Sequence, residues 1–408
     1  MRAGADARRR THPRRRHPIW RVAFAVAGAC LLVIVAGEAH RLIGDEAERS
    51  GIDAFYAQPA DAAVGDPGSI VKATELSGTP LLSRAWRIMY RSTTAAGDPV
   101  AVTGVVVSPA IPPLDGPRTV LAWAHPTTGA ARECAPSYGF DPFIGIEGLR
   151  MLLDRGYTVV ATDYAGMGTD GPDSYLIGGT EGRNVLDAVR AAQTIDEAHA
   201  GDEVVVWGHS QGGQAALFAA EQAAAYAPEL DVVAVAVAAP AADLGALMKD
   251  HLDDISGVTI GSYAFTAFAD TYSDSVPGAD LSDVLTPAAQ QTVPEMNRLC
   301  LLSHLDELHR IGEPLVGDFT SVDPTVTSPW RELLAENSAG AQAFDAPLFI
   351  AQGTADQLIL PRSTEAFAAH ERSLGIDVTY RPIDGATHST IAYEALPFLD
   401  LWLDAHVR

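Results

Sequence analysis

Val204-Val205-Val206-Trp207-Gly208-His209-Ser210-Gln211-Gly212-Gly213 joins an apolar β-branched run to an Ala-rich segment that continues to Ala220. A G-x-S-x-G between a strand and a helix places its serine on a sharp turn, with the hydroxyl lifted clear of the sheet. The glycines two residues either side leave room where larger side chains would collide. The motif alone is a weak signal, because Gly is frequent (36 residues) and exposed Gly/Ser turns are common. The flanking strand and helix patterns make Ser210 a candidate nucleophile rather than an ordinary turn residue.

Working outward, short apolar runs recur at 119–124, 158–161, 204–207, 232–237, 348–351 and 378–382. Helical patterns separate them. Residues 180–200 carry Val185, Val189, Ala192 and Ile195 at helical spacing, which predicts a helix covering one sheet face. Double-sided apolar strands alternating with helices predict an α/β fold with a mostly parallel central sheet and helices on both faces. Upstream, residues 86–91 and 100–107 flank Gly97-Asp98 and read as an antiparallel hairpin. The alternation stops after Pro240 and resumes near Pro347, a gap far too long for a loop, so residues 242–344 are expected to form an inserted helical cap. Residues 244–252 and 294–311 look amphipathic within it, and Tyr263, Phe265 and Phe268 look exposed. The predicted organisation is an N-terminal extension at 38–84, a core from 85–241 and 345–408, and the cap.

Residues 1–37 differ from everything after them. Eight arginines and one acid, Asp6, precede the uncharged apolar run 22–36, which predicts a signal peptide or an N-terminal membrane anchor. Both alternatives fit, and both export the rest of the chain. Without residues 1–36 the chain carries 20 basic against 51 acidic side chains, which disfavours nucleic acid and anionic lipid as partners. Cys134 and Cys300 remain outside the leader. In an exported protein the pair predicts one disulfide, two unrelated buried thiols being the alternative. No Cys/His spacing forms a zinc site, and no metal is expected.

A serine hydroxyl needs a base within hydrogen-bond reach, itself oriented by a carboxylate. In a sheet of this kind both follow the serine in the order acid, then histidine, on loops after later strands. Asp356 follows the strand at 348–351, whereas Asp345 and Asp377 precede strands. His388 follows the strand at 378–382, and no other histidine stands in such a place. The oxyanion formed during acyl transfer needs two N–H donors. The backbone of Gln211 is the first candidate. The second comes from the loop at 125–130, where Thr128 is preferred and Thr127 is the neighbouring choice.

Together HPTTGAARECAPS (125–137), DYAGMG (163–168), GHSQGG (208–213), GTAD (353–356) and GATH (385–388) resemble the secretory lipase family, the lipase A type of α/β-hydrolase. The similarity runs from about residue 74 to the carboxyl end. The resemblance implies an α/β-hydrolase fold and a serine carboxylic ester hydrolase (lipase or esterase) acting on acylglycerols or shorter esters without a cofactor. It also implies extracellular export, a helical cap forming the acyl pocket, and a disulfide from Cys134 to Cys300 in the cap. Where relatives carry an acidic oxyanion residue, this chain has Thr128. Two alternatives share the same residues: an acyltransferase or peptidase built on the same triad, and an inactive lipid-binding protein of the same fold.

Overall fold

The computed structural model describes residues 51–139 and 141–407. The predicted leader and the start of the extension lie outside them. One nine-stranded sheet organises the described residues. Its strands are β1 (Ile70–Glu75), β2 (Ser83–Thr93), β3 (Pro99–Pro109), β4 (Arg118–Ala124), β5 (Thr158–Thr162), β6 (Ala200–His209), β7 (Asp231–Ala238), β8 (Leu348–Gly353) and β9 (Val378–Ile383), in spatial order β1-β2-β3-β5-β4-β6-β7-β8-β9. The pairs β1–β2, β2–β3 and β3–β5 are antiparallel, and every other pair is parallel. A mostly parallel sheet with an antiparallel edge follows from the short hairpin at Gly97 on one side and helical crossovers on the other.

Strand β6 shows why both faces are apolar. Val204 and Val206 point into one core, with Val185 and Val189 of α2 (Gly178–Gln193), Ala215 and Ala219 of α3 (Gln211–Tyr226), and Phe367 of α10 (Pro361–Ser373). Val205 and Trp207 point into the other, with Leu152 of α1 (Leu149–Asp154) and Leu399 and Trp402 of α11 (Ile391–His406). Period-two alternation with both sets apolar is the pattern of a strand covered on both sides.

Between β7 and β8 the chain leaves the sheet for α4 (Leu244–His251), α5 (Ile255–Tyr272), α6 (Leu281–Val284), α7 (Pro287–Met296), α8 (Leu301–Gly312) and α9 (Trp330–Glu336). Asp243, Asp254 and Thr286 cap α4, α5 and α7 by accepting backbone N–H bonds. Among the described residues no helix is long and apolar enough to cross a membrane.

Several expectations need correction. Tyr263, Phe265 and Phe268 are fully buried rather than exposed. They lie on α5, which the other inserted segments surround. Phe265 meets Trp330 edge to face at 5.2 Å, and the Tyr263 hydroxyl donates to the Leu299 carbonyl at 2.9 Å. Helix α2 stops at Gln193 instead of reaching 200, because the chain turns through a short 3₁₀ piece and His199 takes φ 51° before β6 begins. The amphipathic stretch 294–311 is two helices, broken between Met296 and Leu301. Finally, the extension is more than a covering segment, since its residues 70–75 form the edge strand β1 against β2.

Cys134 and Cys300 form a disulfide with their Cα atoms 5.2 Å apart and 166 positions apart in sequence. It pins the start of α8 to the loop after β4, where the Leu301 N–H also donates to the Thr128 carbonyl at 2.8 Å. Closing so long a loop removes much unfolded-state entropy, about 5 kcal/mol in the chain-entropy treatment and 2–5 kcal/mol by precedent. Cys134→Ser/Cys300→Ser is therefore expected to lower Tm by several degrees, read by thermal unfolding against the oxidised parent. An unchanged Tm would show that the crosslink contributes nothing.

Candidate active site

Ser210 stands between the last residue of β6 and the first of α3 with φ 57° and ψ −118°, a conformation that L residues rarely adopt. Two close approaches hold the turn. A Cβ on Gly208 would lie 2.0 Å from the Gly212 carbonyl oxygen, and one on Gly212 would lie 1.9 Å from the Ala124 oxygen. Both glycines are thus required by contact: the first turn of α3 presses on the end of β4 and on β6 itself. The Ser210 N–H donates to the Ala238 carbonyl at 3.0 Å, and its carbonyl accepts from Ala241 N–H at 3.0 Å, tying the turn to the end of β7.

Asp356 and His388 reach the same rim from the next two strand ends. A Cβ on Gly353 would lie 2.3 Å from the Ala386 oxygen, so the β8 and β9 loops run in contact. The Ala355 N–H donates to Ala386 O at 3.0 Å, and the Gly385 N–H donates to the Thr354 hydroxyl at 2.9 Å. Asp356 Oδ1 accepts the N–H groups of Leu358 (2.9 Å) and Ile359 (3.0 Å), which aims Oδ2 at His388. His388 Nδ1 is 2.9 Å from Asp356 Oδ2, and Nε2 is 2.9 Å from Ser210 Oγ. The carboxylate needs a donor, so Nδ1 carries the proton, and the neutral ring accepts the serine hydroxyl at Nε2. Burial holds the His388 pKa below its ordinary value, the hydrogen bond to Asp356 opposes this, and the nearby His209 adds to the lowering.

Gln211 opens α3, where the first N–H groups have no intrahelical acceptor. Its side-chain amide donates at 2.6 Å to Glu181, a wholly buried residue that also accepts the Leu176 N–H at 3.1 Å. Burial raises the Glu181 pKa well above the usual carboxyl range. Thr128 borders the same cavity, but its hydroxyl points to Met167 Sδ at 3.7 Å. Thr127 Oγ1 pairs with the Tyr175 hydroxyl at 2.8 Å. The cavity in front of Ser210 measures about 960 Å³ and is lined by mainly apolar groups, among them Leu247, Ile260, Leu301 and Leu305. It lies between the strand ends and the inserted helices.

The model for the family described as Secretory lipase matches residues 144–407. The chain belongs to the secretory lipase family. Within the family's reach of similarity, Lipase 6 of Candida albicans is 24% identical, with 86% of this chain and 80% of that protein covered. A Mycobacterium tuberculosis protein named as a probable inactive lipase is 25% identical, with 86% and 81% covered. Among solved structures, Candida antarctica lipase A in its closed state superposes with a TM-score of 0.71 at 19% identity, covering 86% of this chain and 84% of that one. The rice cell wall degrading esterase LipA of Xanthomonas oryzae gives 0.66 at 21% identity, covering 84% and 98%. These likenesses make the fold an α/β-hydrolase fold, and family membership makes this secretory lipase a lipase-type hydrolase.

Two neighbours of the serine escaped sequence reasoning. His209 occupies the variable position of G-x-S-x-G, and Glu147 lies in a segment with no motif. Glu181, behind Gln211, likewise carries no sequence signal, because nothing local distinguishes a buried helical carboxyl from a solvated one.

Proposed function

We propose that this secretory lipase is an exported serine carboxylic ester hydrolase, a lipase or esterase acting on acylglycerols or shorter esters through an acyl-enzyme on Ser210. The observation that carries this reading is the continuous chain of hydrogen bonds from Asp356 through His388 to Ser210, opening onto a large apolar cavity. His388 takes the Ser210 proton as the oxygen attacks the ester carbonyl, and Asp356 stabilises the imidazolium that forms. The backbone N–H groups of Gln211 and Thr128 hold the developing oxyanion. His388 then protonates the departing alcohol, and water repeats the sequence to release the acid.

Residues 242–344 serve as the cap whose inner side receives the acyl chain, over a core of 85–241 and 345–408. The apolar lining from Leu247, Ile260 and Leu301 supports that assignment. Export is supported by the family and by the Arg-rich, then apolar, start of the sequence. An inactive reading, which the name of one relative brings forward, is disfavoured by the bonded Ser210, His388 and Asp356, a set that lipid binding alone does not require.

The full chain should hydrolyse a p-nitrophenyl ester series, from acetate to palmitate, in preference to the matching anilides. A fluorophosphonate probe should label Ser210. Because the base must be neutral and burial lowers its pKa, kcat/KM should rise with pH along an acid limb centred below the ordinary histidine value of about 6.5. Folded protein without ester turnover would overturn the function. A limb centred above that value would overturn the electrostatic account.

A further inference from the structure

His209 and Glu147 form a second buried imidazole–carboxylate pair beside the first. His209 Nδ1 lies 3.2 Å from Oε1 and 3.1 Å from Oε2 of Glu147, and its Nε2 lies 3.0 Å from the carbonyl oxygen of His388. Both side chains are nearly inaccessible, at 3% and 7% residue exposure. Glu147 is itself held at its backbone, where its carbonyl accepts the Trp207 indole N–H at 3.0 Å. The two imidazoles sit 5.0 Å apart at 42°.

Hydrogen-bond chemistry fixes one proton. A backbone carbonyl only accepts, so His209 must carry hydrogen on Nε2 and donate it to His388. Nδ1 then shares the remaining proton site with Glu147, which fixes the ring plane as a carboxylate does behind a metal-ligating or catalytic histidine. The acceptor is the main chain of the residue whose side chain bonds Ser210. A small backward shift of that carbonyl would lengthen the 2.9 Å contact to Ser210 Oγ.

We propose that His209, oriented by Glu147, is a positioning residue that clamps the backbone of His388 and so maintains the alignment of its imidazole on Ser210. The proposal rests on the triad reading above. His209 acts through His388 and touches no reacting atom in this role. The charged and titratable groups that face His388 come from several elements: Asp356 in the loop after β8, His209 at the end of β6 and Glu147 ahead of α1, with Tyr393 on α11 facing Glu147 in turn. An imidazole at 209 and the carboxylate at 147 act on His388 with opposite sign, so altering one of them also moves the pH profile.

The test uses the full chain with p-nitrophenyl butyrate, comparing His209→Leu, His209→Gln and Glu147→Gln with the parent, together with thermal unfolding. His209→Leu removes the donor and should lower kcat by about 10²-fold, the cost typical of a misplaced catalytic group, with little change in KM. It also leaves Glu147 beside His388 without its partner, so the acid limb of kcat/KM should move to higher pH. His209→Gln keeps an amide donor and should recover most of kcat. If His209→Leu does not fold, Glu147→Gln and the ring ¹⁵N shifts of His209 in the parent decide the matter: a protonated Nε2 and a reduced kcat support the clamp. A bare Nε2, an unchanged kcat in the folded variants, or losses in Leu and Gln that track Tm alone would each overturn it. Ser210→Ala run alongside separates the two readings, since activity surviving there would sink the triad, whereas a dead Ser210→Ala with a fully active His209→Leu would sink only the clamp.

Discussion

Ser210→Ala should reduce kcat on a p-nitrophenyl ester by about 10⁶-fold, equivalent to about 8 kcal/mol of transition-state stabilisation. In the proposed mechanism the substitution deletes the atom that would form the covalent bond to the acyl group, and it removes the hydroxyl bonded to His388 Nε2. The residual rate would come from the oxyanion donors and the cavity acting on water. Folding should be nearly untouched. The bonds that hold the turn use the Ser210 main chain, to Ala238 and from Ala241, and alanine meets the same conformational cost at φ 57° as serine does. The check pairs steady-state kinetics with thermal unfolding. A variant with a normal Tm and a rate within about a hundredfold of the parent would exclude Ser210 as the nucleophile.

Asp356→Asn should lower kcat by about 10⁴-fold with little loss of stability. Asparagine keeps an oxygen for the Leu358 and Ile359 N–H groups, so the loop after β8 remains formed. What changes is the atom facing His388. An amide NH₂ at the Oδ2 position donates to Nδ1 and forces the ring proton to Nε2, where it can no longer accept from the serine. The Gln352 amide, 3.3 Å from Oδ2, would then meet a second donor. The measurement is kcat with single-turnover acylation, which isolates the step that needs the base. An effect smaller than about tenfold would mean that the carboxylate neither orients nor stabilises the imidazole.

The fold was legible wherever the signal was local and periodic. The run from Val204 to Gly213 specifies strand, turn and helix because the side-chain period changes from two to 3.6 across Ser210, and the same logic reveals the strands before Asp356 and His388. Boundaries were less legible. The sequence has no mark at Gln193, where α2 ends, since Ile195 continues the helical spacing and only the geometry of entry into β6 ends the helix. Nor does it show that 294–311 is two helices, because the break lies where Cys300 is tied to a residue 166 positions earlier. The aromatics of α5 stand on a helix with apolar residues on most of its sides, which is the pattern of a buried helix, but the surrounding inserted segments that cover it come from distant parts of the chain.

By itself, then, the sequence determined the α/β architecture, the order of serine, acid and histidine along it, and membership in a family whose motifs are contiguous. The tertiary structure alone decided which polar groups are desolvated and what they face. His209 and Glu147, Gln211 and Glu181, and Thr128 and Met167 are all paired across long stretches of chain. Hydrogen-bond partnership and burial depend on distances through space, which no local pattern of residues encodes.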